Sequence, residues 1–372
     1  MKKRTFLSLA LMMFAAWHVN EGMRGVAQER STTAAPYTVT DIAGREIAFD
    51  KVPERVLALG HGVLQQYAYV CGADRLVGIE ETAKSGHSLM GQSVHHAYPE
   101  LRKIQTVGKG GPKFSPDDEQ IAYQAPDVVF IAYENTKEEL DELQKKLNVP
   151  IVGIGAGMRG AIFGDDAYRT FEIIGKTMRA EKRAAAVIRF MKSAQEDLRK
   201  RVADLPENGE TVYIGGCSFR GTQGILSTKS HIDLLTTVRA NNVMDNLTES
   251  VSVVIDKEKL LDLDPEIIIL DLSGEALLAE DMKADPGFYQ ALKAFRNRKA
   301  YAIMPYFTYG MNYDTAILDM YSIGKVVHPD RFADVDLERK GAEIYTAFVG
   351  KDVYRELMET YPKSFREAQI DE

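Results

Sequence analysis

Residues 306–313 read Tyr-Phe-Thr-Tyr-Gly-Met-Asn-Tyr, three tyrosines and a phenylalanine directly after the apolar run 299–304. Such rings offer contact area together with a hydroxyl, which suits a ligand that is part apolar and part anionic. Tyr306, Phe307, Tyr309 and Tyr313 are therefore expected at a binding surface; the competing reading is packing beneath the helix that follows. Arg159, Arg220, Lys109 and Lys113 are the cations able to hold a carboxylate, catecholate or oxyanion, the arginines through two parallel hydrogen bonds. Each also reads as an ordinary solvated surface cation.

Beyond His18, the histidines are His61, His87, His95 and His96 in the first half and only His231 and His328 in the second. A bare Zn²⁺ or Mn²⁺ site wants three or four His and carboxylate ligands in tetrahedral array. No such set is suggested, so no protein-held metal is expected, and the His95-His96 pair reads as exposed loop. Gly155-Ala-Gly-Met-Arg-Gly160 spells G-x-G-x-x-G, but a dinucleotide site needs it at the first strand of its unit, with an acid ending the next strand. Here it follows the last strand of its half, and Glu172 sits inside a helical pattern. These glycines read instead as turn and close-approach residues. There is no G-x-S-x-G, H-E-x-x-H or C-x-x-C. No catalytic residue and no cofactor are expected; an exported oxidoreductase using a nucleotide cofactor would rest on the glycine motif alone.

The elements that must position these residues are announced by a repetition. Residues 115–133 and 255–273 each run from a short acid-capped helix through a proline turn into an apolar strand that ends at a polar residue. One such unit per half means two lobes of related construction, and two α/β lobes leave a cleft between them. In the first half the spacing predicts strands at 55–60, 76–80, 127–133 and 150–154, with helices at 63–71 and 137–147. In the second it predicts strands at 210–215, 266–272 and 299–304, with helices at 231–238, 288–295, 312–327 and 338–349. Continuous apolar strands alternating with helices argue parallel sheets covered on both faces. Ligands of such sheets lie beyond the carboxyl ends of the strands. That rule adds His61 and Tyr133 to the candidates and puts Glu81, Thr82, Gly157, Ser218 and Ser273 on the same rim.

Between the halves, 166–205 is a helical tract with a break near Ala180. Its second part carries one apolar stripe through Ala184, Val187, Ile188, Met191, Ala194, Leu198 and Val202. The expected organisation is an N-terminal α/β lobe at 37–165, a connecting helix at 166–205 and a C-terminal α/β lobe at 206–372. A rigid helical connection predicts a small hinge motion.

Met1-Lys-Lys-Arg4 followed by the apolar Thr5–Trp17 has the charged start and apolar stretch of a secretory signal. The run is shorter than the roughly 20 residues of a spanning helix. A signal peptide at 1–27 and a flexible lead-in at 28–36 are expected. Loss of residues 1–27 takes the formal net charge from −8 to −11, since Lys2, Lys3, Arg4 and Arg24 leave with Glu21. Such a surface does not suit nucleic acid or an anionic membrane. The two cysteines, Cys71 and Cys217, fall one per lobe and read as buried free thiols.

Asp41-Ile-Ala-Gly-Arg45, Val52-Pro-Glu-Arg-Val-Leu-Ala-Leu59, Leu76-Val-Gly-Ile79 and Tyr98-Pro-Glu-Leu-Arg-Lys-Ile-Gln-Thr-Val-Gly108 together resemble the opening of one family. It is the helical-backbone (class III) periplasmic binding proteins, substrate-binding components of ABC importers for ferric siderophores, haem and cobalamin. Ala240-Asn-Asn-Val-Met-Asp245 resembles a further tract of that family, and the order of motifs holds over 37–360. The resemblance implies two Rossmann-like lobes joined by a rigid backbone helix, and a periplasmic monomer that hands its cargo to an ABC permease. It implies a metal chelate as cargo, a ferric siderophore first and haem or a corrinoid next. A molybdate- or tungstate-like oxyanion is the alternative, and a ligand sensor feeding a signalling receptor is a third class. It also implies permease docking through one acid per lobe, Glu100 in the first and Asp245, or nearby Glu249, in the second.

Overall fold

The computed structural model describes residues 35–368 except 85, 112–115, 134–135, 158–160 and 207–208. The expected leader at 1–27 lies outside the described residues, as do Lys113 and Arg159. An antiparallel hairpin of β1 (Tyr37–Thr40) and β2 (Glu46–Phe49) comes first, buried on one face through Val39, Ile47 and Phe49. There follow β3 (Val56–Gly60), α1 (Val63–Cys71), β4 (Leu76–Ile79), the short α2 (Val94–Ala97), β5 (Gln105–Thr106) and α3 (Asp118–Gln124). The lobe's sheet is completed by β6 (Val128–Ala132), α4 (Lys137–Leu147) and β7 (Ile151–Gly153). The five strands are parallel in the order β5-β4-β3-β6-β7.

The strands inward of the edge strand β5 are apolar because both faces are covered. Val56 and Ala58 of β3 face one core cluster, and Leu57 and Leu59 face another. Local chemistry sets the helix ends. Asp117 caps α3 by accepting from the Gln120 amide, Thr136 and Glu139 form a capping box on α4, and Asn148 ends α4 in the left-handed region.

The 166–205 tract is two helices, α5 (Asp165–Met178) and α6 (Glu181–Val202), turned at Arg179 with φ 53°. The break thus falls where it is expected, at Arg179 and Ala180. The helices pack closely, and a Cβ on Gly175 would fall 2.7 Å from that of Ala184. The 22 residues of α6 span about 33 Å at 1.5 Å each.

The second lobe runs β8 (Thr211–Gly215), β9 (Ser227–Lys229), α7 (Asp233–Thr236), β10 (Asn241–Asn242), β11 (Ser252–Val254), α8 (Lys257–Leu263) and β12 (Ile267–Asp271). It continues with α9 (Glu275–Ala284), α10 (Pro286–Ala291), α11 (Lys293–Arg296), β13 (Ala300–Ile303), α12 (Tyr313–Val327), α13 (Leu337–Val349) and α14 (Tyr354–Thr360). Its parallel sheet has the order β10-β8-β12-β13, with β9 and β11 paired antiparallel beside it. The helix expected at 231–238 is only α7, and that at 288–295 is broken at Leu292.

The lobes share their main core. One apolar cluster passes from Val63 and Phe130 through Ile174 and Met191 to Ile214, Ile317 and Phe348. Helix α12 is buried at every residue from Tyr313 to Gly324, as befits a helix enclosed on all sides. Polar keys cross the same seam. Asp314 accepts hydrogen bonds from Tyr69 and Ser93, and Arg183 of α6 donates to the carbonyls of Tyr69 and Phe348. Asp233 receives the amides of Ile162 and Phe163. Both cysteines are free thiols.

Candidate functional site

The carboxyl ends of β3, β4 and β6 bring His61, Glu80 and Tyr133 together, and the loop between β13 and α12 lays Tyr309 over them. Backbone permits this approach. A Cβ on Gly60 would sit 2.7 Å from the Ala132 carbonyl oxygen, and one on Gly310 2.4 Å from the Gly62 Cα. The two lobes therefore touch at Gly62 and Gly310, and no larger residue fits at Gly310.

Glu80 is buried, 3% exposed, at the end of β4. Its Oε2 accepts the Gly60 amide at 2.9 Å and its Oε1 accepts the Tyr133 hydroxyl at 2.7 Å. Burial pushes its carboxyl up, and the bonds from Tyr133 and Gly60 pull it back. The Tyr133 phenol is raised by burial and then by the Glu80 charge. The His61 ring lies 5.3 Å from the Tyr133 ring and 4.3 Å, edge-on, from that of Tyr309. The two phenol oxygens are 3.5 Å apart, and the Tyr309 hydroxyl bonds both the amide and the carbonyl of Gly111. Tyr309 holds φ 70°, a left-handed conformation costly for an aromatic residue.

The aromatic run 306–313 divides. Tyr309 meets the rim of the first lobe, and the half-buried Phe307 has the Lys229 ammonium 5.5 Å from its ring. Tyr306 and Tyr313 are buried, and their expected ligand role is corrected. Tyr306 is 3% exposed beside Cys217, and Tyr313 is 1% exposed with its ring against Phe171. The chain turns at Tyr309 and Gly310, so residues on either side of the turn point into the core.

Lys109 is exposed and lines a groove of about 640 Å³ with Glu81, Asp117, Asp118 and Glu119, apart from the His61 cluster. Arg220 is exposed on the loop after β8, its guanidinium 5.4 Å from the Phe219 ring. Arg159 lies outside the described residues. Gly157 behaves as a close-approach glycine, with φ 63° and the Tyr313 hydroxyl 2.7 Å from where a Cβ would stand.

Glu100 is exposed in the first turn of the 3₁₀ helix Pro99–Lys103. Asp245 is corrected as a docking acid, because its Oδ1 is engaged by the His231 amide at 2.7 Å and Asn242 Nδ2 at 2.6 Å. Glu249, its side chain 99% exposed, is the outward acid of that region. His95 is not exposed loop but 4% exposed in α2, where burial pushes its pKa down to about 4. Sequence reasoning missed Glu80, although the polar end of an apolar strand was the signal available for it. Among the described residues no group of three or more His, Cys, Asp and Glu is placed to hold a metal ion.

The family profile "Periplasmic binding protein" matches residues 70–306, more than half of the chain. A Bacillus subtilis protein, an uncharacterized ABC transporter substrate-binding lipoprotein, is 21% identical over 315 residues, covering 82% of this chain and 91% of its own. A periplasmic solute binding protein of Veillonella parvula superposes with TM-score 0.71 at 20% identity, over 88% of this chain and 96% of that one. A molybdate periplasmic binding protein of Haemophilus influenzae, bound to molybdate, does so with TM-score 0.67 at 19% identity, over 85% and 98%. The chain, with its two α/β lobes joined by α5 and α6, thus belongs to the periplasmic binding protein family as a class III member, a solute-binding protein of the periplasm and not an enzyme.

Proposed function

We propose that this protein captures a small metal chelate between its lobes and, as a monomer, delivers it to the permease of an ABC importer. A ferric siderophore is the first candidate and haem or a corrinoid the next. The observation that carries this reading is the meeting of His61 and Tyr133 with Tyr309 from the opposite lobe. Rings with polar tips at a lobe junction suit a cargo that is apolar at its rim and polar at its centre. Phe307, Lys109 and Arg220 are further candidates for its periphery. Glu100 on one lobe and Glu249 on the other are the acids offered to a permease, whose encounter such rim charges would steer.

Native mass spectrometry with metal analysis, on protein taken from its own periplasm, tests the proposal. An added organic mass with iron or cobalt is the expected result. A small oxyanion with molybdenum or tungsten would keep the transport role and replace the cargo, a reading favoured by the likeness to the molybdate-binding protein.

A further inference from the structure

We infer that Lys229 is an anion-binding residue of the second lobe, taking a carboxylate, catecholate or inorganic oxyanion oxygen of the cargo. The inference deepens the transport reading above and rests on it. Among the described residues two lysine or arginine side chains are buried, Arg45 at 3% exposed and Lys229 at 7%. Arg45 is fully engaged, its guanidinium donating to Asp41, Asp141, Gln144 and the Ile151 carbonyl. Lys229 is engaged at one point: its ammonium donates to Ser252 Oγ at 2.6 Å and forms no ion pair with a described residue. An ammonium carries three donors, and a buried charge without a counter-ion is a standing cost to the fold. An anionic oxygen brought by a ligand would relieve that cost with a charge-assisted hydrogen bond.

The ammonium stands where a ligand of this lobe is expected, at the carboxyl ends of the parallel strands. Alternation along β9 turns Ser227 and Lys229 to one side, and the Ser227 hydroxyl donates to the carbonyl of Cys217, just past the end of β8. Cys217 and Asp271, the last residue of β12, are the titratable groups that act on the ammonium. Phe307, on the loop after β13, presents its ring 5.5 Å away. None of these puts a negative charge in contact with it. Burial pushes the Cys217 thiol up, so it stays protonated. Asp271 spends Oδ1 on the Ser273 amide, its Oδ2 has no hydrogen-bond partner among the described residues, and burial raises its pKa to about 7. Phe307 is half-buried, and its loop carries Tyr309 to the rim of the first lobe. A cargo packed on the Phe307 ring meets the ammonium with its anionic edge and the aromatic face with its apolar part.

The test compares wild type with Lys229→Met, which keeps length and removes the charge, and with Lys229→Arg, which keeps the charge. Calorimetry would use an uncharged ferric tris-hydroxamate, a ferric tris-catecholate and inorganic molybdate; the last two separate an anionic chelate from a free oxyanion. Lys229→Met is expected to weaken the anionic probe that wild type binds by about tenfold to a hundredfold, the worth of a hydrogen bond to a charged group. It should leave the hydroxamate unchanged and melt no lower than wild type, because an unpaired charge has left the interior. Lys229→Arg should recover part of the lost affinity. A merely structural lysine would give a lower melting temperature with every probe weakened alike, and that result overturns the inference. So do anion binding that Lys229→Met leaves unchanged and a wild type that takes only the hydroxamate, although both leave the transport reading standing. If no probe binds, native mass spectrometry of wild type and Lys229→Met from their own periplasm decides. An anionic cargo held by wild type and lost from Lys229→Met supports the inference. A cargo without an anionic group, or one held equally by both, overturns it alone, and the lack of any cargo removes both readings.

Discussion

The junction of the lobes gives the sharpest stability prediction. Asp314, fully buried in the first turn of α12, accepts from Tyr69 at 2.8 Å, from the Thr315 amide at 2.9 Å and from the Ser93 hydroxyl. Burial pushes its carboxyl up, and the bonds from Ser93 and Tyr69 draw it back. Tyr69→Phe removes one bond to a charged acceptor, a loss of about 1.5–3 kcal/mol. Asp314→Ala strands two buried hydroxyls at about 1–3 kcal/mol each, so a loss of about 3–5 kcal/mol is expected. The double variant strands only Ser93. The two losses should therefore fall short of additivity by about 1–2 kcal/mol. Urea titrations of the four proteins measure this, provided the denaturant slopes agree. Losses that add to within about 0.5 kcal/mol would show that the two residues are not coupled and would refute the reasoning. Because the same bonds tie α1 to α12, small-angle scattering of the wild type should change little when cargo is added. A large compaction would contradict the rigid junction.

Tyr309→Ala should weaken chelate binding by about tenfold, the worth of one well-placed aromatic contact, whereas Tyr306→Ala should cost about 3–5 kcal/mol of stability as a core truncation; equal effects of both on affinity would return Tyr306 to the site. Glu100→Arg should leave cargo affinity unchanged and abolish uptake in a transport assay, and a loss of affinity would place Glu100 in the cleft. Asp271 is fully buried at the end of β12, and burial raises its pKa to about 7. A raised carboxyl binds its proton more tightly in the folded chain, so its contribution is present below the unfolded value near 4 and is lost as pH rises through about 7. Three pH units amount to at most about 4 kcal/mol. Asp271→Asn should flatten the stability profile between about pH 4 and 7, and an unchanged profile would exclude Asp271 as its source.

Much of the fold was legible because its signals are local. Val63–Cys71 and Lys137–Leu147 are helices with the ends expected of them, since Gly72 and the capping residues around α4 act within one turn. Residues 128–132 and 267–271 are strands close to the expected bounds, because each apolar run is started by its own proline turn and ended at a polar residue. The β1–β2 hairpin and the β9–β11 pair were missed. Their strands are three or four residues long and take their burial from distant partners.

The candidate site was legible only as a set of loops. Tyr306, Tyr309 and Tyr313 are chemically identical and closely spaced, yet two are core and one spans the junction. The difference lies in the turn at Tyr309 and Gly310, which the Gly62 backbone of the other lobe accepts. Asp245 and Glu249 were equivalent acids until the fold gave one of them to His231 and Asn242. The sequence by itself determined two lobes of parallel sheet, the break in the tract between them, and the rim on which a ligand must sit. Periodicity, capping and strand polarity act over a few residues. Only the tertiary structure decided that Glu80 stands beneath Tyr133 and that Tyr309 closes over His61. Those contacts join residues 53 and more than 200 apart along the chain, and a field or a stacking contact depends on distance in space, which no spacing in the sequence records.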